Sequence, residues 1–467
     1  MSTIQEYLES LTGKSIAVIG MGVSNTPLIR MLLRAELKVT VCDKSPRERV
    51  GELAAELESL GARLQLGEDY LEKLYRFDVI FRTPGLSPNH PELVKAAERG
   101  RTVTSEMELF FQLCPCKIIG VTGSDGKTTT TTLISEFLRE AGFNVYVGGN
   151  IGKPLLPDIG GMVPEDIVVV ELSSFQLMTM RRSPNISVFT NLSPNHLDYH
   201  HTMEEYTAAK MNIFLHQKEG DRTVFNYDND ITRALSQKAP AGISYFSRKS
   251  HLEEQGVYLG PNYPEGEAIW LSNQQGHRLV LPLSDIRLPG VHNIENYMAA
   301  IAAVDGLVPD KHVQAVAQRF TGVEHRIELV RELNGVKYYN DSIGTSPTRT
   351  MACLDSFDQK LILIAGGYDK GVPFTQLGVE MVKKVKTLIL CGVTAPAIRN
   401  AVEEAEGYRE SGLHLVETET LAAAVAAAQA AALPGDVVVL SPACAAFDQF
   451  KNFMERGQVF KQLVNAL

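Results

Sequence analysis

The stretch GVTGSDGKTTTTTLI, Gly120 to Ile134, leaves this chain few choices of fold. The apolar run KIIGVTG leads into it and reads as a buried strand. TLISEFLREAG follows with helical periodicity and a closing glycine. Glycines at 120, 123 and 126 therefore sit on a strand-to-helix turn, the repeating join of an α/β domain. Such a turn brings backbone N–H groups close to an anion, and the following helix offers its positive end. Lys127 is placed to reach outer phosphates, and the Thr128 hydroxyl to hold a magnesium ion. The strict Walker spacing would put the first glycine where Val121 stands. The local expectation is nucleoside triphosphate binding, with the purpose of the triphosphate left open.

A chain of 467 residues exceeds one ordinary core, and about three domains are expected. The net charge of −10, with no dense basic run, argues against a nucleic-acid partner. The start MSTIQEYLESL lacks the order of a secretory signal, and no apolar stretch is long enough to span a bilayer. The alanine-rich LAAAVAAAQAAAL reads instead as a buried or half-buried helix. Six scattered cysteines suit reduced thiols, so a cytoplasmic protein is expected, and a monomer with it.

Three sections follow, with expected boundaries 1–112, 113–321 and 322–467. The first opens with SIAVIGMGVSN, TPLIRMLLRAEL and KVTVCDKS, a strand–helix–strand start ending at Asp43. Gly20-x-Gly22 begins a dinucleotide fingerprint, but Asn25 occupies the third glycine's place. A nicotinamide cofactor is therefore a weaker reading than another nucleotide diphosphate near Asp43. The turn FRTPGLSPNHP, Phe81 to Pro91, is positioned to line the same crevice. In the second section, DIVVVELSSFQL ends a strand at Glu171, and ISVFTNLSPNHLDYHH carries Asn191, His196 and Asp198 beyond another. Ligands gather at the carboxyl ends of such strands, so Glu171 and His196 should meet what Lys127 and Thr128 hold. The loop GGNIGKPL offers Asn150, and ISYFS, AIWLS and RLVLPL suggest a small antiparallel addition. The third section alternates KYYNDS, KLILIAGG, KTLILCG and DVVVLSP with helical stretches, a second open α/β sheet carrying Asp341, Lys370 and Ser441 near strand ends.

One lysine breaks a pattern. In MEEYTAAKMNIFLH, Met203, Tyr206, Ile213 and Phe214 form an apolar helical stripe with Lys210 inside it. The plainer expectation is a stem along the apolar surface with its ammonium in water. The alternative is a buried, neutral amine that reacts with carbon dioxide to give a carbamate, a new metal ligand.

ELSSFQL, NLSPNHLDYH, the lysine after YTAA, GVHNIEN, EHRIE, YNDSIGTSPT and LSPACAAFDQFKNF occur in the order seen in the ATP-dependent Mur ligases. The chain resembles that family over nearly its whole length. The resemblance implies three domains: an N-terminal Rossmann-like domain for the UDP part of the substrate, a central P-loop ATPase-like parallel sheet for ATP, and a Rossmann-like C-terminal domain that closes over both. The tail SPACAAFDQFKNF resembles the members that add D-glutamate to UDP-N-acetylmuramoyl-L-alanine in peptidoglycan precursor synthesis. The implied chemistry is phosphorylation of the substrate carboxylate by ATP, then attack on the acyl phosphate by the amine of D-glutamate.

Residue by residue, the resemblance implies that Gly123, Ser124, Asp125, Gly126, Lys127, Thr128 and Thr129 cradle ATP. Asn293 and Asn296 match an adenine-side helix, Arg326 a phosphate contact and Asp341 a ribose contact. Thr128 and Glu171 resemble ligands of one magnesium ion; His196 and a carbamylated Lys210 resemble ligands of a second. Asn150 would touch substrate or phosphates, and His325 would orient its neighbours. Gly22, Val23, Ser24, Asp43, Lys44, Thr83, Pro84 and Gly85 are expected to meet the UDP substrate. Thr345, Lys370, Ala446, Phe447 and Phe453 are expected around D-glutamate, with Ser441 shaping the turn. Two departures stand out. Many relatives have lysine after NDS, where Ile343 and Gly344 follow here, and Asp125 stands where asparagine is common. The rival readings are a sibling or folate-polyglutamylating ligase, a nicotinamide-dependent oxidoreductase and a nucleotide-switched binding protein.

Overall fold

The computed structural model describes every residue except Met1, Ser2, Asn195, His196, Glu254, Pro289 and Lys370, and leaves the side chains of Leu197 and Asp198 undescribed. The expectations for His196 and Lys370, and for the side chain of Asp198, thus lie outside the described residues. The chain divides into two compact units, Met1–Asp285 with His292–Val316, and Ile286–Val291 with Ala317–Leu467.

The first unit holds two sheets. One comprises β1 (Ser15–Ile19), β2 (Lys38–Asp43), β3 (Arg63–Leu66), β4 (Val79–Phe81) and β5 (Thr102–Thr104), all parallel, in the order β3-β2-β1-β4-β5. The helix Asn25–Arg34 buries Leu28, Ile29, Leu32 and Leu33, a three-to-four spacing that covers the sheet with one stripe. The strand order reverses between β1 and β4, so the turns after these two strands border one crevice. They come close: a Cβ built on Gly20 would lie 3.4 Å from that of Thr83.

The second sheet has nine strands: β6 (Lys117–Thr122), β7 (Val145–Gly149), β8 (Ile167–Glu171), β9 (Ile186–Phe189), β10 (Arg222–Asn226), β11 (Gly242–Ser247), β12 (Gly256–Asn262), β13 (Gly266–Asn273) and β14 (Gly276–Pro282). Their order is β14-β13-β12-β11-β10-β9-β6-β8-β7. β8 and β9 are buried at every position and β6 at all but Lys117, which explains their continuous apolar runs. Only β12–β13 and β13–β14 pair antiparallel. ISYFS, expected in the antiparallel addition, is β11 and pairs parallel with both neighbours. The helix Asp230–Ser236 carries the chain over from β10, and such a crossover returns it in the same direction. Because β6 lies between β8 and β9, the ends of these three strands converge.

The second unit holds β15 (Glu328–Leu333), β16 (Val336–Asn340), β17 (Leu361–Ala365), β18 (Val385–Cys391), β19 (His414–Thr418) and β20 (Val437–Leu440), ordered β15-β16-β20-β17-β18-β19. All pairs are parallel except β15–β16. The alanine-rich helix Leu421–Ala431 buries Leu421, Ala424, Val425 and Ala428, one narrow face of small residues. All six cysteines are buried free thiols. Among the described residues no helix is long and apolar enough to cross a membrane.

One carboxyl sits badly in this core. Glu106 is 6 % exposed, and the backbone N–H of Leu156 donates to its Oε1 at 3.4 Å. Burial pushes its pKa from 4.5 up to about 7. Between those values the folded chain holds a proton that the unfolded chain releases, so folding stability falls as pH rises through the window. Glu106→Gln should remove this component. Urea denaturation should show wild type losing up to about 3 kcal/mol relative to the variant between pH 4.5 and 7.5.

Candidate active site

The loop after β6 is shaped by two of its glycines. Gly123 and Gly126 have φ of 151° and 77°, and a Cβ on Gly126 would meet Asn296 Oδ1 at 2.3 Å. Gly120 has a different task. It lies inside β6, where a Cβ would meet the Pro184 ring at 2.3 Å, so it serves packing rather than the anion cradle. The loop is pinned to the segment after β9: Asp125 N donates to Asn191 Oδ1 at 2.9 Å, and Thr190 Oγ1 donates to Asp125 O at 2.6 Å. Ser124 Oγ donates to Ser193 O at 3.0 Å. The Asp125 side chain is exposed, so its extra charge is hydrated rather than enclosed.

The helix Lys127–Glu140 starts at Lys127. Lys127 Nζ folds back on Gly123 O at 2.9 Å and Ser124 O at 2.7 Å. Thr128 and Thr129 are buried in its first turn. Thr128 Oγ1 donates to Glu171 Oε2 at 2.7 Å, and Asn150 Nδ2 donates to Glu171 Oε1 at 2.8 Å. Asn150 is held there because its own N–H donates to Glu171 O at 2.8 Å. A hydroxyl and a buried carboxylate beside an anion-cradling loop are hard oxygen donors, a set that fits magnesium. On the other side of the loop, Thr130 Oγ1 donates to Asn296 Oδ1 at 3.3 Å, and Asn296 Nδ2 to Asn293 Oδ1 at 3.1 Å. The first turn of the helix Val291–Val304 is thereby fixed against the loop.

Lys210 does not reach water. It is 1 % exposed; its Nζ donates to Gly123 O at 2.8 Å and Thr122 Oγ1 at 3.1 Å, 4.9 Å from the Tyr206 ring centre. The snorkelling expectation fails because the helix Met203–Met211 packs that face inward. The helix also stops earlier than the apolar stripe suggested; Ile213 and Phe214 are buried from the turns that follow. Burial, then the Lys127 ammonium, hold the Lys210 pKa well below the ordinary lysine value.

In the first sheet, Gly22, Val23 and Ser24 form the turn after β1, with Val23 77 % exposed. Asp43 Oδ2 accepts from Met21 N and Oδ1 from Ser45 N, both at 2.8 Å, so this carboxylate shapes the turn that Lys44 shares. Thr83, Pro84 and Gly85 follow β4.

The second unit gathers its own set. Asp341 is 4 % exposed and accepts from Ser441 Oγ at 2.7 Å; burial pushes its pKa up to about 6. Gly344 is needed beside that pair, since a Cβ there would lie 2.7 Å from Asp341 Oδ2. Thr345 follows in the same turn, with its N–H on Ile343 O at 2.8 Å. Arg326 lies next to His325, which is in left-handed backbone (φ 65°) and stands 2.9 Å from Asn340 Nδ2 through its Nδ1. Phe453 packs edge-on to His325, while Phe447 is 63 % exposed and packs on Tyr368. Ala446 is buried and takes the Phe450 N–H on its carbonyl at 2.8 Å.

Family models match the chain as a Mur ligase MurD-like N-terminal domain at 14–105, a Mur ligase middle domain at 121–304 and a Mur ligase glutamate ligase domain at 325–444. This chain belongs to the Mur ligase family. Among similar proteins, the UDP-N-acetylmuramoylalanine–D-glutamate ligase of Acetivibrio thermocellus is 49 % identical over 466 residues, covering 99 % of both chains. The enzyme of that name from Clostridium novyi is 48 % identical over 465 residues, covering 100 % of this chain and 99 % of its own. Among solved structures, the UDP-N-acetylmuramate–alanine ligase of Thermotoga maritima shares the fold, with a TM-score of 0.56 at 18 % identity over 97 % of this chain and 99 % of its own.

In this Mur ligase, the loop, Asn150, Glu171, Lys210, Asn293 and Asn296 belong to one neighbourhood of the first unit. Sequence reasoning missed Thr122, Thr190 and Arg82 there, and Arg456 in the second unit. Arg456 is 3 % exposed and donates to Ser342 O, Cys444 O and Ala445 O at 2.9, 3.0 and 3.2 Å, joining the NDS turn to the SPACAAF turn. The only available signal was its type, an arginine on a helical face otherwise facing the core. Gly126→Ala should weaken ATP binding by about tenfold or more, measured by calorimetric titration, because a side chain strains the left-handed backbone and displaces Asn296.

Proposed function

We propose that this Mur ligase joins D-glutamate to UDP-N-acetylmuramoyl-L-alanine using ATP, in peptidoglycan precursor synthesis. The full-length identity to ligases of that name carries the choice of amino acid. The carboxylate oxygen of the substrate attacks the γ-phosphorus of ATP, ADP leaves, and an acyl phosphate forms. The amine of D-glutamate then attacks the acyl carbon, a proton is lost, and phosphate departs from the tetrahedral intermediate. Phosphorylation is needed because oxide is a poor leaving group.

The chain's own residues have the properties these steps require. The Gly123–Thr129 backbone offers N–H groups to the phosphates, and Lys127 exchanges two loop carbonyls for phosphate oxygens. Thr128 and Glu171 would hold one magnesium ion, and His196 with carbamylated Lys210 a second. When bound, magnesium neutralises the anions that must approach one another. The carbamate reading rests on the enclosed amine: its nitrogen bonds to the carbon of carbon dioxide, loses a proton and becomes an anionic oxygen donor. Asn150 would orient the Glu171 carboxylate and meet substrate or phosphate.

The resemblance further assigns Asn293 and Asn296 to the adenine side, Arg326 to phosphate and Asp341 to ribose. Gly22, Val23, Ser24, Asp43, Lys44, Thr83, Pro84 and Gly85 are assigned to the UDP substrate. Thr345, Lys370, Ala446, Phe447 and Phe453 are assigned to D-glutamate. These roles, the domain limits 1–112, 113–321 and 322–467, and a monomeric cytoplasmic enzyme complete the proposal; the buried free thiols favour a reducing compartment.

Phosphate release from ATP should require UDP-N-acetylmuramoyl-L-alanine and, in a panel of amino acids, D-glutamate. Absence of ATP consumption with both present, or consumption without an amide product, would overturn the proposal. Lys210→Ala should abolish turnover and regain part of it with short-chain carboxylates. Full activity of that variant without them would remove the carbamate.

A further inference from the structure

Arg82 follows β4 and is 1 % exposed, one of the largest fully enclosed side chains in the protein. Its guanidinium faces two ways. Nη1 donates to its own turn, at Thr83 O (3.4 Å), Pro84 O (3.4 Å) and Leu86 O (3.2 Å). Nη2 donates across to the segment behind Glu171, at Phe175 O (3.2 Å) and Thr179 Oγ1 (2.8 Å). Thr179 Oγ1 passes its own proton to Glu108 Oε2 at 3.1 Å, an oxygen that also accepts from Ser105 Oγ at 2.8 Å. The buried charge is thus answered by a carboxylate one hydroxyl away.

The segment it grips is stiff. Ser173 and Gln176 form a reciprocal capping box at the start of the helix Ser174–Leu177, and Ser174 Oγ lies 2.8 Å from His200 Nε2. Phe175 lies in this short helix, just after Glu171 in the chain. One planar group spans the turn at Thr83–Gly85 and the peptide behind Glu171. We propose that Arg82 is a positioning residue, setting the offset between the turn that anchors the nucleotide end of the UDP substrate and the centre where its carboxylate is phosphorylated. The inference rests on the proposed reading of Thr83–Gly85 as a substrate-binding turn. A long substrate held at one end presents its carboxylate correctly only if that offset is kept, and misplacement by a fraction of an ångström is costly in rate.

The two edges of the guanidinium are separable. Thr179→Val removes the hydroxyl partner behind Glu171 and leaves the three Nη1 bonds. It should lower kcat about tenfold while the KM for UDP-N-acetylmuramoyl-L-alanine stays within about twofold. Arg82→Met releases both edges. It should raise that KM about tenfold and lower kcat, with the KM values for ATP and D-glutamate within about twofold of wild type. Arg82→Lys should recover part of the KM and little of the kcat, since one ammonium cannot serve both edges. A purely structural role would lower the melting temperature and leave this split unmoved. The inference is overturned by an unchanged KM in folded Arg82→Met, by equal rises for all three substrates, or by an unchanged kcat in Thr179→Val. If Arg82→Met does not fold, Thr179→Val decides alone. Wild-type protein that makes no D-glutamyl product would overturn the functional reading and this inference together; active wild type with unmoved variants would overturn the inference alone.

Discussion

A lysine amine enclosed among strand ends sets the terms for the candidate site. Keeping Lys210 charged there would cost several kcal/mol, because its Nζ donates to a hydroxyl and a carbonyl rather than to a carboxylate. The neutral form relieves that cost, and the Lys127 ammonium pushes in the same direction. The arrangement needs Thr122 at the end of β6 and Gly123 just beyond it to face the helix Met203–Met211, and it needs Tyr206 to close one side. Glu171 is then free to be held by Thr128 and Asn150 rather than consumed by an ion pair with Lys210. The Lys127 and Lys210 amines share the Gly123 carbonyl, while the Glu171 carboxylate keeps partners of its own.

Loops carry most of the candidate site, and buried arginines hold several of them. Arg82 and Arg456 each direct a guanidinium at backbone carbonyls of turns, and Arg82 also at the short helix Ser174–Leu177. Five donors in one plane can satisfy carbonyls from two segments at once, which a lysine cannot do. Each guanidinium thereby joins turns that are far apart in sequence. Burial costs the arginine solvation, and burial lowers the pKa of both.

Much of this was legible in the chain. Periodicity marked the strands and helices around Gly120–Ile134, because a buried parallel strand must be apolar at nearly every position. That Glu171 would meet Thr128 was legible because the glycine turn opens a helix with Lys127 and Thr128 and a neighbouring strand ends at Glu171. Less was legible where a residue's role depends on what crosses it. Gly120 looked like part of an anion cradle and proved to make room for Pro184. ISYFS looked like an antiparallel strand, yet the crossover helix before it returns the chain in parallel. At Asp43 nothing in the sequence signalled that both carboxylate oxygens accept backbone N–H groups of neighbouring turns.

What residue order alone settled was the local grammar: which stretches are strands and helices, and where a turn must bend at glycine. These follow from short-range sterics and from apolar spacing, both written within a few residues. The folded chain settled burial and partnership. Whether Lys210 meets water, and which carbonyls Arg82 and Arg456 hold, depend on segments tens to more than a hundred residues away. Desolvation and hydrogen-bond geometry are properties of those encounters, so no window along the chain contains them.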